Sequence, residues 1–434
     1  MANKYTNLND LFTGIADAIR SKNNSSAPIV ADDFPKEIEN IQSGFEYDNM
    51  YTTSIPPSAF DNCNEIEHVN CYNLTSVGQY AFRNCPNLKT VILYDGVTEV
   101  GFCPFMLSKN VTVYCEKNEK PERWHLGWDI DEEENVVWGF SPVEVWDISA
   151  TEEDNVVAKL YPDVKREGYY SLIIDGNGTM REWYGEDRPF ESYINNITSV
   201  MVNWGIDKIG YGVFAGFENL ESAKLGYVRE IGTAAFYNCC KLRDIEFSVY
   251  LEYIRDTAFK GCTNIKHISF IGDALRSIGS SVFSGCVNLK SVTFDDVNLS
   301  SFGDRIFLDC KNLESINGNN VMYFGGGAVD IILYRYAPAS KDKTFTMSYG
   351  VDTIAECAFQ DAVNLFRVDI PETVTTICGL AFDNCEKLRQ IVYSGTVSKW
   401  NAIFKGVNWD NNTPDYTIYC TDGKIAKDGT VTMY

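Results

Sequence analysis

One pattern recurs nine times along this 434-residue chain. An aromatic residue is followed three positions later by cysteine, three after that by leucine, and three further on by isoleucine or valine. Phe283/Cys286/Leu289/Val292 is one copy. Phe82/Cys85/Leu88/Val91, Phe236/Cys239/Leu242/Ile245, Phe259/Cys262/Ile265/Ile268, Phe307/Cys310/Leu313/Ile316 and Phe382/Cys385/Leu388/Ile391 repeat it. Phe60/Cys63/Ile66/Val69 is a looser copy, and Phe214/Phe217/Leu220 and Phe359/Ala362/Leu365 keep the frame without the cysteine. A hydrophobe five residues before the aromatic, such as Ile231, Ile254 or Ile278, completes the unit, and adjacent units recur every 22 to 24 residues. A unit that short cannot bury its own apolar face, so neighbours must stack into a solenoid.

Each unit reads in two parts. Leu289-Lys-Ser-Val292-Thr-Phe294 partly alternates apolar and polar residues, as a short half-buried strand does. Ile278-Gly-Ser-Ser-Val-Phe283 has the apolar spacing of a helical or 3-10 turn. Asn62, Asn84, Asn238, Gly261, Gly285 and Asn384 precede the cysteine slot, where a left-handed residue ends such a turn. The expected fold class is therefore α/β, with a parallel sheet and short helical turns.

Fourteen cysteines invite a disulfide or zinc reading. Stacked units would even bring these Cα atoms within disulfide range, roughly 4.4–6.8 Å. But Phe217 and Ala362 occupy the same slot, so it asks for apolarity. No Cys-x-x-Cys exists and the chain has only three histidines, His68, His125 and His267. Buried thiols acting as small hydrophobes are expected, with no metal and no cofactor.

The formal net charge of −23 argues against nucleic acid or a polybasic membrane contact. No long apolar run marks a membrane span, and the opening MANKYTNLND lacks the features of a signal peptide. Synthesis in a cytoplasm is expected. No G-x-S-x-G, H-E-x-x-H or P-loop motif is present, so no enzyme is expected. Asp175-Gly-Asn-Gly-Thr lacks the spaced acids of a calcium loop and reads as a tight turn.

Three regions follow. Residues 1–45 carry Leu11, Phe12, Ile15 and Ile19, then Phe34 and Ile38, at helical spacing. They read as a small helical hairpin that docks on the first repeat or serves as an anchor and oligomerisation segment. Residues 46–142 read as a first array with a closing cap. Residues 143–434 read as a second array with caps at both ends and an insertion at 317–350. All eight tryptophans fall outside the repeat units and read as cap filling. Trp124 and Trp128 are the candidates for stacking on a sugar. Outward positions of the second array offer a candidate binding face. One row is Glu221, Arg243, Lys266, Lys290 and Glu314. The next is Lys224, Glu246, Ser269, Thr293 and Asn317.

These residues resemble the BspA-type leucine-rich repeats, in the form I-x-x-x-x-F-x-x-C-x-x-L-x-x-I, over roughly residues 50–420. Trp146-Asp-Ile-Ser149, Val111-Thr-Val-Tyr-Cys115 and Cys420-Thr-Asp-Gly423 resemble the opening and closing segments of such arrays. Residues 11–20 and 32–38 resemble the start of bacteriophage tail and baseplate-associated proteins. The two resemblances together imply a virion adhesin: residues 1–45 toward other virion proteins, the solenoid toward a host-surface glycan or protein, in a homo-oligomer. The resemblance to BspA-type repeats alone implies a bacterial surface or secreted adhesin.

Overall fold

The computed structural model describes residues 45–47, 52–128, 135–185, 187–271, 274–295, 301–316, 321–324 and 331–434. Every repeat contributes two strands to two parallel sheets. In one repeat these are Ser277–Ile278 and Ser291–Asp295. The inward residue of each strand stands in register with its counterparts. Ile231, Ile254, Ile278 and Phe302 form one ladder, and Ile268, Val292 and Ile316 another. The hydrophobic frame read from the sequence is thus a set of columns running through the stack.

The expected α/β class does not hold. The described residues form a mostly parallel β-solenoid, and their one complete α-helix is Val397–Ala402, accompanied by the 3-10 turn Glu191–Tyr193. The segment between the two strands is no helix. It carries two left-handed residues four positions apart: Ser281 (φ 56°) and Gly285 (φ 76°), Ala234 and Asn238, Tyr80 and Asn84, Leu380 and Asn384. This conformation aims alternate N–H groups at the next turn. Ser281 donates to Asp304 O (2.8 Å), Phe283 to Ile306 O (2.9 Å) and Gly285 to Leu308 O (2.8 Å). A helix would spend the same donors within its own turn. Tertiary pairing therefore overrides the local helical spacing. The proposed hairpin, with Leu11, Phe12, Ile15, Ile19, Phe34 and Ile38, lies outside the described residues.

Two compact units are present, residues 1–144 with 161–167, and residues 145–160 with 168–434. In the first, Phe45–Tyr47, Ile66–Asn70, Thr90–Leu93, Thr112–Cys115 and Val136–Trp138 make one parallel sheet, and three two-residue strands make the other. In the second unit, after the strands Glu144–Asp147 and Asn155–Pro162, comes the strand Tyr170–Thr179, which serves both sheets. Its first half pairs with Ile197–Val202 and its second half with Ile206–Ile209. The Asp175-Gly-Asn-Gly segment lies inside this strand, so the expected tight turn is absent. Its glycines hold φ values of +111° (Gly176) and +106° (Gly178), where the strand passes from one sheet to the other.

The core is built from the repeated aromatic and cysteine. Phe236 and Phe259 stack with centroids 5.0 Å apart, Phe60 and Phe82 at 5.2 Å, Phe359 and Phe382 at 4.7 Å. Cys85, Cys239, Cys262, Cys286, Cys310 and Cys385 are fully buried. Their role exceeds apolar filling. Each Sγ–H donates to the carbonyl of the phenylalanine one turn back: Cys286 to Phe259 O (3.3 Å), Cys262 to Phe236 O (3.1 Å), Cys85 to Phe60 O (3.0 Å). That carbonyl already accepts the N–H of its own turn's cysteine, as Phe259 O does from Cys262 N. The thiol takes its second lone pair.

Candidate functional site

Strand periodicity sends the residues on either side of each inward residue to the outer face of the long-strand sheets. In the second unit the first outward row is Ser171, Ser199, Ser222 and Asp244, continued in the next sheet by His267, Ser291 and Ser315. Ser199 Oγ donates to Ser171 Oγ (2.7 Å), and His267 Nδ1 lies 2.8 Å from Ser291 Oγ. The second row holds Met201, Lys224 and Glu246, then Ser269 and Thr293, with Thr293 Oγ1 donating to Ser269 Oγ (2.9 Å). Among the described residues the ladder breaks between Asp244–Glu246 and His267–Ile271, which belong to different sheets.

The row Glu221, Arg243, Lys266, Lys290 and Glu314 sits one residue before these strands, along their N-terminal edge. Its backbone is tied from turn to turn, Lys290 N to Lys266 O (2.7 Å) and Glu314 N to Lys290 O (2.8 Å), and Arg243 pairs with Glu221 at 2.9 Å. Lys224, Glu246, Ser269 and Thr293 stand on the face itself, and Asn317 lies outside the described residues. The sequence reading missed the middle row, Ser222, Asp244, His267, Ser291 and Ser315. Its signal was available: each residue directly precedes the inward ladder position.

The histidine of this row is electrostatically placed. Burial lowers the His267 pKa from its ordinary value, the neighbouring Lys290 and Lys266 lower it further, and Glu314 opposes them. The first unit repeats the device in the row Glu46, His68, Thr90 and Thr112. There His68 Nδ1 lies 2.7 Å from Thr90 Oγ1, and burial again leads the downward shift.

On the short-strand face, Lys208 bridges Glu182 (3.3 Å) and Glu230 (3.4 Å), Glu230 also binds Arg255 (2.9 Å), and Arg229 pairs with Glu252. Exposed networks of this kind add little stability and set surface charge. Burial pushes the core thiols up, Cys85 and Cys310 to about 12 and Cys262 and Cys286 well above their ordinary value. They are held as protonated donors, whereas a nucleophile needs the thiolate. Among the described residues no group of three or more His, Cys, Asp or Glu is placed to hold a metal ion.

Trp124 and Trp128 are not available to a sugar. They are 2% and 1% exposed, lie 4.8 Å apart edge to face, and pack with Trp138 in the first unit's core. Trp204 is the exposed tryptophan, at 41%. It starts a ridge with Tyr227 (4.7 Å) and Tyr250 (4.8 Å from Tyr227). The sequence reading missed this ridge as well, although the residues lie 23 positions apart, one repeat each.

The repeats match the family model for the BspA type leucine-rich repeat region over residues 33–118, 186–328 and 333–408, more than half of the chain. The chain belongs to the BspA-type leucine-rich repeat family. Solved structures similar to it include a leucine-rich repeat protein from Eubacterium ventriosum, at 21% identity over 58% of this chain and 72% of that one, with a TM-score of 0.44. A leucine-rich cell surface protein from Faecalibacterium prausnitzii is 18% identical over 60% and 97% of the two chains, with a TM-score of 0.34. A leucine-rich repeat protein from Bacteroides ovatus is 18% identical over 86% and 83%, with a TM-score of 0.39. These low scores add nothing to the family assignment, which rests on the repeats themselves. No curated protein matches the chain.

Proposed function

We propose that this BspA-type chain is an adhesin, a non-catalytic binding protein that engages an extended ligand on a cell surface through its long-strand face. The observation that carries this reading is the pair of outward rows, Ser171 to Asp244 and His267 to Ser315, each in register from turn to turn within its own sheet. Groups at the inter-strand spacing of about 4.8 Å match a ligand that is itself extended and periodic. The weak contacts of one turn then add along the stack, as linked binding sites do. The negative charge of the chain selects against polyanionic partners.

Immobilised full-length chain should retain bacterial or host cells, or an extracellular-matrix preparation, at moderate salt. Retention of none of these by correctly folded protein would overturn the reading. A virion-borne form of the same adhesin rests on the resemblance of residues 11–20 and 32–38 alone; co-purification of the chain with phage particles tests it.

A further inference from the structure

One sheet of the second unit ends on an unguarded edge. Its strands run in the order Thr344–Thr346, Arg367–Ile370, Gln390–Tyr393, Thr417–Tyr419, Gly423–Ala426 and Val431–Met433, the last three joined antiparallel. Ala426 N donates to Thr430 O (2.9 Å) and Tyr434 N to Asp422 O (3.0 Å). Thr430, Thr432 and Tyr434 therefore turn their backbone groups toward the preceding strand. Alternation turns the N–H and C=O of Val431 and Met433 the other way, along the outer edge. Among the described residues no strand pairs with that edge.

The side chains leave the edge equally open. Val431 and Met433 stand opposite Ile425 and Gly423, on the face where Ile425 is buried. An ideal Cβ on Gly423 would come within 3.2 Å of Met433 Sδ, so Met433 lies against that glycine. Yet Val431 is 44% exposed, Met433 59% and Tyr434 75%. Natural sheets protect such edges with charge, proline or a bulge. Gly429-Thr-Val-Thr-Met-Tyr434 has no charged side chain and no proline, and its pairing register is unbroken.

We propose that Val431–Met433 is a homodimerisation edge, at which two copies of this chain pair antiparallel about a two-fold axis through Thr432. In that register Val431 faces the partner's Met433, and Met433 the partner's Val431. These are the residues whose backbone groups point outward, so each pair exchanges two N–H···O bonds. Thr432 faces the partner's Thr432 as the close pair without backbone bonds, where two threonines make a favourable cross-strand contact. Val431 and Met433 of both copies fall on one face and cover each other. One register thus matches the hydrogen bonds and the apolar side chains of the strand with themselves, which selects a second copy over a foreign strand. The net charge of −23 repels copies elsewhere, and the uncharged edge is where they meet at least cost. An isologous contact of this kind closes at two. The inference goes beyond the adhesin reading and does not rest on it. The sheet so extended is a long-strand sheet, so a pair carries two such faces.

An edge this short sets a weak dimer, so sedimentation of the full-length chain is followed up to about 200 μM. Each variant is checked for an unchanged melting temperature. The full-length chain should dimerise. Val431→Pro removes an outward N–H and no inner one, and should raise the dimer Kd about tenfold or more. Val431→Lys/Met433→Lys sets like charges opposite each other and should abolish pairing. Val431→Lys/Met433→Glu sets opposite charges at the same positions and should keep it. A monomer at every concentration overturns the proposal and leaves the edge to another occupant. A dimer that survives both Val431→Pro and the double lysine variant overturns it, as do equal losses in the two charge variants or species that grow beyond two.

Discussion

At the scale of single residues, the cysteine shows how a repeated position serves two demands. It must be small and apolar enough for the column, and its thiol meets the second lone pair of the phenylalanine carbonyl one turn back. The apolar demand was legible, because Phe217 and Ala362 share the slot. The hydrogen bond was not, since it needs the register of two turns. Cys286→Ala should cost about 1–2 kcal/mol, from a small cavity and a lost hydrogen bond, in urea unfolding. His267 supplies a second residue-scale prediction. Its folded pKa is depressed, so between that value and the unfolded value of 6.5 the unfolded chain binds more protons. The fold therefore keeps this contribution above about pH 6.5 and loses it as pH falls through the folded pKa. His267→Asn should flatten the stability profile in that window, as read by melting temperature against pH.

At the scale of the repeat element, backbone conformation explains what the sequence reading caught and what it missed. Asn238, Gly261 and Gly285 announce a left-handed residue before the cysteine, and the structure has one at each. The first left-handed position falls on Ala234, Thr257 and Ser281, which carry no such signature. The spacing of Ile278, Val282 and Phe283 then looks helical, though inter-turn hydrogen bonds claim the donors. Two glycines separate backbone strain from steric contact. At Gly285 an added Cβ meets nothing nearer than 3.7 Å, so Gly285→Ala should cost about 1–2 kcal/mol for the left-handed backbone alone. At Gly303 it would stand 2.3 Å from the backbone of Gly279 and Ser280. Gly303→Ala should cost clearly more, because main chain must move; equal costs in chemical denaturation would contradict this account.

At the scale of the whole molecule, the repeat period alone made the stacked architecture legible. The candidate site was less so. The sequence located outward positions within one residue of the face, but burial of the first unit's tryptophans and exposure of Trp204 depend on where each unit's core ends. Trp128 packs with Trp124 and Trp138 at that end, so Trp128→Ala should destabilise the first unit by about 3–5 kcal/mol in a melting or denaturant experiment. The proposed adhesin engages its ligand through the long-strand face, and the short-strand face serves as the control. The most direct test compares cell retention by Ser291→Arg/Thr293→Arg with retention by Ser277→Arg/Ser301→Arg, both pairs being outward on their own sheets. The first pair should lower retention at least about tenfold while the second leaves it unchanged. Retention lost in the second pair and kept in the first would contradict it.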